Sequence, residues 1–314
     1  MSRPLCVSLR RFRSAMKRMP ELPEVETVVR ELAPVLPGRV IVRARLTAPD
    51  LYRRDSRRVS TLAGARIDSI ERFGKAIRVR LSHSDGERFL IVHLGMTGRL
   101  LWMPDARAAG EPHTHARLRF AEGSELRYVD PRRFGYLFVG DAAAVASSFD
   151  FGPDPFAMHS RDLAARLSGR SAPLKSLLLD QRIIAGLGNI YVDELLFKIR
   201  IHPLTVGGEA SARAAEILRA ARVILARAIR ARGSTIRDYR RPDGSSGSFQ
   251  LRLSVYGRTG EACRRCGTII QRIEVGQRGT HLCPHCQPLP VSATRTRSAG
   301  RSRRAAPRRA GYTR

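Results

Sequence analysis

Four of the five cysteines stand as Cys263-x2-Cys266 and Cys283-x2-Cys286, with sixteen residues between the pairs. Two knuckles that each offer two thiolates complete a tetrahedral four-sulfur shell. Such a shell suits one structural Zn(2+) ion, because no coordination position stays open for substrate. Cysteines used this way point to a reducing, cytoplasmic compartment. Cys6 lies outside the set. Elsewhere, Met19-Pro20-Glu21-Leu22-Pro23-Glu24-Val25-Glu26 gathers three carboxylates. Pro23 suits a first helical position, and Glu24 and Glu26 complement a helix dipole. In Gly186-Leu187-Gly188-Asn189, small residues before a helix start leave backbone N–H groups that can receive a phosphate, although a tight helix connection explains them as well. Arg132-Arg133-Phe134-Gly135 reads as an exposed loop, since two adjacent arginines are costly to bury. Only four lysines occur, among them Lys75 and Lys175.

These groups need a scaffold, and 314 residues provide enough chain for two domains at about 150 residues each. Lys and Arg number 57 against 28 Asp and Glu, a net charge of +29. Removing the six basic groups of residues 1–18 and the eight arginines of residues 287–314, two stretches without an acid, leaves residues 19–286 at +15. The folded part is therefore itself basic, and a polyanion is its natural partner. No apolar run approaches the roughly 20 residues that cross a bilayer, so no membrane role is expected. Short apolar or alternating runs at 40–46, 76–81, 89–94, 116–120, 126–129 and 136–139 predict an antiparallel sandwich. A helix carrying Val25, Val28, Val29 and Leu32 on one face precedes it. After residue 154 the period changes to that of helices at 161–167, 174–180, 190–199 and 210–230. Residues 240–250, with Pro242, Gly244 and Gly247, read as a mobile loop. Residues 287–314 are too poor in apolar groups to fold.

The stretch from Met19 resembles the formamidopyrimidine-DNA glycosylase family, bacterial enzymes that remove 8-oxoguanine and ring-opened purines. The resemblance runs in order through residues 19–286. It continues with Phe73-Gly74-Lys75, His93-Leu94-Gly95-Met96-Thr97-Gly98, Asp130-Pro131-Arg132-Arg133-Phe134-Gly135, the Gly186–Tyr191 segment, Val255-Tyr256-Gly257-Arg258 and the cysteine knuckles. It implies an α+β multidomain fold: an N-terminal β-sandwich with a leading helix over 19–152, a helix–two-turn–helix domain over 153–240, and the end of a lesion-reading loop with a four-cysteine zinc finger over 241–286. It also implies that Pro20, through its α-amine, is the nucleophile toward C1′ of the damaged nucleoside. An α-amine titrates near 7.7–8.0, so an uncharged fraction exists at neutral pH. Glu21 is the implied general acid/base, which needs a raised pKa from burial and the absence of a close cation. Lys75 and Arg278 are implied in the two elimination steps. His93, His113, Arg170, Asn189 and Tyr256 are implied DNA contacts, and Met96, Arg132 and Phe134 fill the gap left by the extruded base. With four cysteines satisfying zinc, His113 and His115 are not expected as ligands. Ser234 through Tyr239 corresponds to the segment that reads the oxidised base.

As numbered, nineteen residues precede Pro20 and its nitrogen is an amide. The expectation is that translation begins at Met19, whose removal frees Pro20, or that residues 1–18 are cut away. The implied product is a bifunctional base-excision enzyme acting as a monomer on damaged double-stranded DNA, cytoplasmic and nucleoid-associated. Two rival readings stand beside it. One is an endonuclease VIII-like enzyme for oxidised pyrimidines; the other is a noncatalytic zinc-ribbon DNA-binding protein.

Overall fold

Pro23 and Glu24 in the first turn and Arg30 in the last set the limits of α1 (Leu22–Leu32). Its face of Val25, Val28, Val29 and Leu32 packs into the first core, while Leu22 belongs to the second. The helix is thereby pinned between two domains. The computed structural model describes residues 20–234 and 247–290. The expected lesion-reading residues 235–239, most of the predicted mobile loop and both tails beyond 290 and before 20 lie outside the described residues.

The first core is an antiparallel sandwich. One sheet runs in the order β1 (Ile41–Leu46), β6 (Thr114–Phe120), β7 (Glu125–Val129), β5 (Arg99–Met103). The other runs β2 (Arg66–Phe73), β3 (Ala76–His83), β4 (Gly86–His93), β8 (Tyr136–Gly140). Inward residues such as Val79, Leu81, Leu90, Val92, Leu118 and Tyr128 meet between them. The second sheet is covered on its other face by α2 (Ala142–Ser148), where Ile91, Phe138, Val145 and Phe149 form a smaller cluster. β2 and β3 pair from Phe73 to Ala76, so Gly74-Lys75 is a two-residue turn with Lys75 at its tip. A positive φ at Gly74 is what such a tight hairpin turn requires at its first central position.

The second core gathers α3 (Ser160–Leu167), α4 (Leu174–Leu179), α5 (Asn189–Lys198) and α7 (Ala214–Arg230), with the short α6 (Gly207–Ala210) between. The helix expected over 210–230 is broken by a 3-10 turn at Ser211–Arg213. Phe249–Arg252 also forms a 3-10 turn, with Phe249 buried in this core, so that end of the predicted mobile loop is fixed. β9 (Gln271–Val275) and β10 (Arg278–Leu282) make a hairpin whose two-residue turn, Gly276-Gln277, has positive φ at both positions. Gln287 is buried, donates to Ile201 O (2.8 Å) and accepts from Cys283 N (3.2 Å). The zinc module therefore continues past Cys286, where the unfolded tail was expected to begin.

Two buried ionic contacts join the parts. Arg72 of β2 reaches Glu26 of α1 (3.1 Å) and Asp154 of the segment entering the helical domain. Lys175 of α4, fully buried, donates to Asp193 Oδ1 of α5 (2.6 Å) and to Gly279 O of the hairpin (3.2 Å). Asp193 Oδ2 in turn accepts from His281 N (2.9 Å). Removing one partner of a buried pair leaves an uncompensated charge. Lys175→Ala is therefore expected to lower the unfolding free energy by about 3–5 kcal/mol in denaturant titration, and a loss below about 1 kcal/mol would contradict this account of the hairpin's support.

Candidate active site and nucleic-acid interface

Glu21, 4% exposed, sits where α1 meets the start of α5. Its Oε1 accepts from Ile190 N (3.0 Å) and its Oε2 from Tyr191 N (3.3 Å). A carboxylate at a helix N-terminus is held by unsatisfied amides and by the dipole. Gly188 is required here because a Cβ would overlap the Glu21 carboxyl group, and one at Gly186 would collide with Leu22. This corrects the reading of Gly186–Asn189 as an open phosphate cradle: the first donors of α5 are taken by Glu21. Glu24 takes the helix N-terminal place expected of Glu24 or Glu26, as the acid of a capping box with Glu21. It accepts from Glu21 N (3.0 Å), Tyr191 Oη (2.6 Å) and Ser234 N (2.7 Å). Glu26 instead pairs with Arg30 (2.8 Å) and Arg72.

Burial pushes Glu21 up to about 7, with Glu24 adding to the rise and Lys75 and the two α5 amides opposing it. The expected absence of a close cation does not hold. Lys75 acts on Glu21 directly, and desolvation outweighs it. Lys75 itself is held below the usual lysine range by burial, with Arg278 pushing the same way and Glu21 opposing. Arg278, the first residue of β10, is likewise pulled down by burial and opposed by Glu21. Glu21, Lys75 and Arg278 thus form one electrostatic cluster fed by α1, the β2–β3 turn and the zinc hairpin. Pro20 is buried immediately before Glu21.

The sandwich contributes two loops to the same rim, and Asp130 binds them together. Its carboxylate accepts from Tyr128 Oη (3.0 Å), Gly135 N (2.9 Å), Arg132 N (3.3 Å) and Thr97 Oγ1. Gly95 packs so closely on Phe134 and Gly135 that a Cβ would overlap their backbone. The loop bearing Met96 is therefore locked to the loop bearing Arg132 and Phe134. Arg132 is exposed with its guanidinium 4.5 Å from the Phe134 ring centroid, as the loop reading predicts. Met96 is 7% exposed. His93 accepts from Gly95 N at Nδ1 (3.1 Å) and stacks on Tyr136 at 4.8 Å. Burial, reinforced by Lys75 and Arg53, lowers it to about 4, so the ring is neutral near pH 7 and its Nε2 carries the hydrogen.

Of the remaining expected contacts, His113 joins the Asp130 loops and Asn189 and Tyr256 join the zinc hairpin beside Arg278, whereas Arg170 stands apart in the helical domain beside Gly207 and Gly208. His113 is exposed, adopts a φ of +65° and accepts from Asp130 N (3.1 Å) through its carbonyl. Arg170 projects from the loop between α3 and α4. Asn189 opens α5 and donates to Gly279 O (3.0 Å), which ties it to the zinc hairpin, while its Oδ1 is buried without a hydrogen-bond partner among the described residues. Tyr256 lies edge-on to His281 at 4.8 Å. The backbone amides of Ser254, Val255 and Tyr256 all converge on Glu194 of α5, at 2.9–3.0 Å. Asp130, Asp193 and Glu194 were not singled out from sequence. Only Asp130 carried a signal, its place directly before the Pro131-Arg132-Arg133 run.

The sulfurs of Cys263, Cys266, Cys283 and Cys286 lie within 4.8 Å of one another. Cys266 Sγ is 3.5 Å from both Cys283 Sγ and Cys286 Sγ. A tetrahedron with Zn–S bonds of about 2.3 Å has edges of about 3.8 Å, so the donor set fits one zinc ion and is far too wide for disulfides.

Fold and site together define a zinc-finger protein whose acid–lysine–arginine cluster lies between a β-sandwich and a helical domain. Three family models match in chain order: the formamidopyrimidine-DNA glycosylase N-terminal domain over 19–137, the H2TH domain of the same enzymes over 151–240, and the zinc finger found in FPG and IleRS over 260–289. A formamidopyrimidine-DNA glycosylase of Novosphingobium aromaticivorans is 46% identical over 276 residues, covering 86% of this chain and all of that protein. Among solved structures, a Lactococcus lactis FPG variant bound to Fapy-dG-containing DNA matches with a TM-score of 0.76 at 36% identity. MutM (FPG) from Thermus thermophilus matches at 0.74 and 39%. Each covers 86% of this chain and all of the other. The chain belongs to the formamidopyrimidine-DNA glycosylase family.

Because the folded state holds the Glu21 proton up to about 7 while an unfolded glutamate releases it near the usual carboxylate value, this group costs stability as pH rises through that window. Glu21→Gln is expected to gain stability relative to the parent between about pH 5 and pH 8, read from denaturant midpoints. A difference that does not change with pH would contradict the buried, proton-holding state of Glu21.

Proposed function

We propose that this chain excises oxidised purines, 8-oxoguanine and formamidopyrimidines, from double-stranded DNA and cleaves the resulting abasic site by β,δ-elimination. The observation that carries the reading is Glu21, raised to about 7 by burial and set beside Pro20 in reach of Lys75 and Arg278. Pro20, as a free secondary amine, bonds through nitrogen to C1′ of the damaged nucleoside; the base leaves with the electrons of the glycosidic bond and takes up the hydrogen that the nitrogen releases. Glu21 delivers its proton to the ring oxygen, and the sugar opens to an iminium. That cation draws electrons from C2′, whose proton is lost as the 3′ phosphate departs. Lys75 holds phosphate and serves this step, Arg278 the second elimination that frees the 5′ phosphate. The nitrogen can react only when no residue precedes it, so we include in the proposal that the acting protein begins at Pro20.

His93, His113, Arg170, Asn189 and Tyr256 are the proposed contacts to the DNA backbone. His93 would act there as a neutral donor, so its contact does not depend on pH near neutrality. Met96, Arg132 and Phe134 would occupy the stack vacated by the flipped base, Arg132 facing the orphaned cytosine. The four cysteines would hold zinc, whose chemistry is confined to rigidity because four thiolates leave no open position. Every residue in the scheme comes from one chain, which supports action as a monomer. Among the described residues no helix is long and apolar enough to cross a membrane, in keeping with work on cytoplasmic, nucleoid-associated DNA.

Single-turnover excision from duplexes carrying 8-oxoguanine opposite cytosine is expected to exceed excision of thymine glycol by at least about tenfold, a difference of about 1.4 kcal/mol in barrier. Faster release of thymine glycol would favour the endonuclease VIII-like reading, and no release of either base the noncatalytic one.

A further inference from the structure

β1 and β6 place arginine directly opposite arginine. Arg43 pairs across the ladder with Arg119, and Arg45 with Arg117. Ala44, Ala116 and Leu118, the neighbours of these residues, are buried, so all four guanidiniums leave the sheet on its outer face. Arg117 finds Glu125 at 3.2 Å. Arg43, Arg45 and Arg119 are exposed and have no ion pair or hydrogen-bonded side-chain partner among the described residues. Like charges directly opposite across a ladder oppose pairing of the strands. The other sheet of the same sandwich avoids the conflict: Arg78 meets Glu71 at 2.9 Å and Arg80 lies 3.7 Å from Glu87. On the first sheet Arg117 and Arg127 share the Glu125 carboxylate, which lies across the next ladder from Arg119, and Arg43, Arg45 and Arg119 are left without an acid of their own among the described residues.

We propose that this arginine ladder is a second nucleic-acid site, which takes the phosphate backbone of a DNA segment other than the one held in the cleft. The Cα atoms of these three arginines lie within about 7 Å along the strand and about 5 Å across it. That density calls for several closely spaced anionic groups, as on duplex DNA with one charge per about 1.7 Å of axis, and guanidinium forks suit phosphate oxygens. The occupant follows from the surroundings: a protein working on DNA meets more of that polyanion than of any other, so the inference rests on the proposed function. The site is also distinct from the cleft. Thr114 marks the rim end of β6, beside His113 and Asp130, and Arg119 lies five residues further on, about 17 Å along the strand. A protein with two such faces can take hold of a second segment before it releases the first, passing between segments without entering free solution.

The test measures release of the full chain from a labelled short duplex containing a non-cleavable abasic analogue, over a range of unlabelled undamaged duplex. The parent's release rate is expected to climb in proportion to competitor concentration. In the triple variant Arg43→Glu, Arg45→Glu, Arg119→Glu that rise is expected to fall at least fivefold. A triple Arg→Gln variant should lose it as well, so a folding fault in the Glu variant does not decide the outcome. Excision from a single short duplex should stay within twofold of the parent in both variants. The proposal is overturned if the parent's release ignores competitor, if the variants respond as the parent does, or if polyglutamate accelerates release as well as DNA, which would assign the face to an acidic protein. Failure of the parent to excise any lesion would strike the reading of the cleft instead.

Discussion

One carboxylate on two backbone amides organises this molecule. Glu21 closes the exposed end of α5 with Ile190 and Tyr191 and, because it directly precedes α1, fastens the sandwich's leading helix to the helical domain. Gly188 exists to admit it, and Leu22 follows it into the second core. The same burial that makes the contact also raises its affinity for a proton. Domain junction and proton store are therefore one interaction, and a chain that assembles its two domains also sets its acid beside Pro20.

Other buried acids repeat the device around the cleft. Asp130 gathers amides and hydroxyls from the loops bearing Met96 and Arg132, Asp193 holds the zinc hairpin through His281 and Lys175, and Glu194 collects the three amides that lead to Tyr256. Inside, carboxylates order backbone. Outside, arginines supply the charge that a phosphate partner needs. In a chain at +29, five of the buried acids, Glu21, Glu24, Asp130, Asp193 and Glu194, bind backbone amides and so fix the loops and helix ends around the site.

Much of this was legible in the sequence. The cysteine spacing led to the sulfur cluster, and the alternation at 76–81 and 116–120 led to β3 and β6. β2 was missed because a bulge between Ile67 and Ser69 sets Ile67, Ile70 and Phe73 three residues apart and hides the two-residue period. β5 was missed although its Leu100–Met103 run is as apolar as that of β8, and α2 is an alanine-rich two-turn helix capped by Asp141, which carries little amphipathic signal. Glu21 was found by its motif, but its partners were not, since amides given up by a distant helix leave no trace in local spacing. The same holds for Glu194 and Asp193, ordinary helix residues until the fold brings the Ser254–Tyr256 turn and the hairpin against them.

The central claim is that the nitrogen of Pro20 becomes bonded to a sugar carbon beside Glu21, which holds the proton. Reduction with borohydride during reaction with 8-oxoguanine duplex, followed by proteolysis and mass spectrometry of the cross-linked peptide, tests it most directly. The account predicts a stable adduct whose modified residue is an N-terminal Pro20. An adduct on Lys75 or another amine, or vigorous strand cleavage by a chain in which Pro20 is still preceded by Met19, would contradict it.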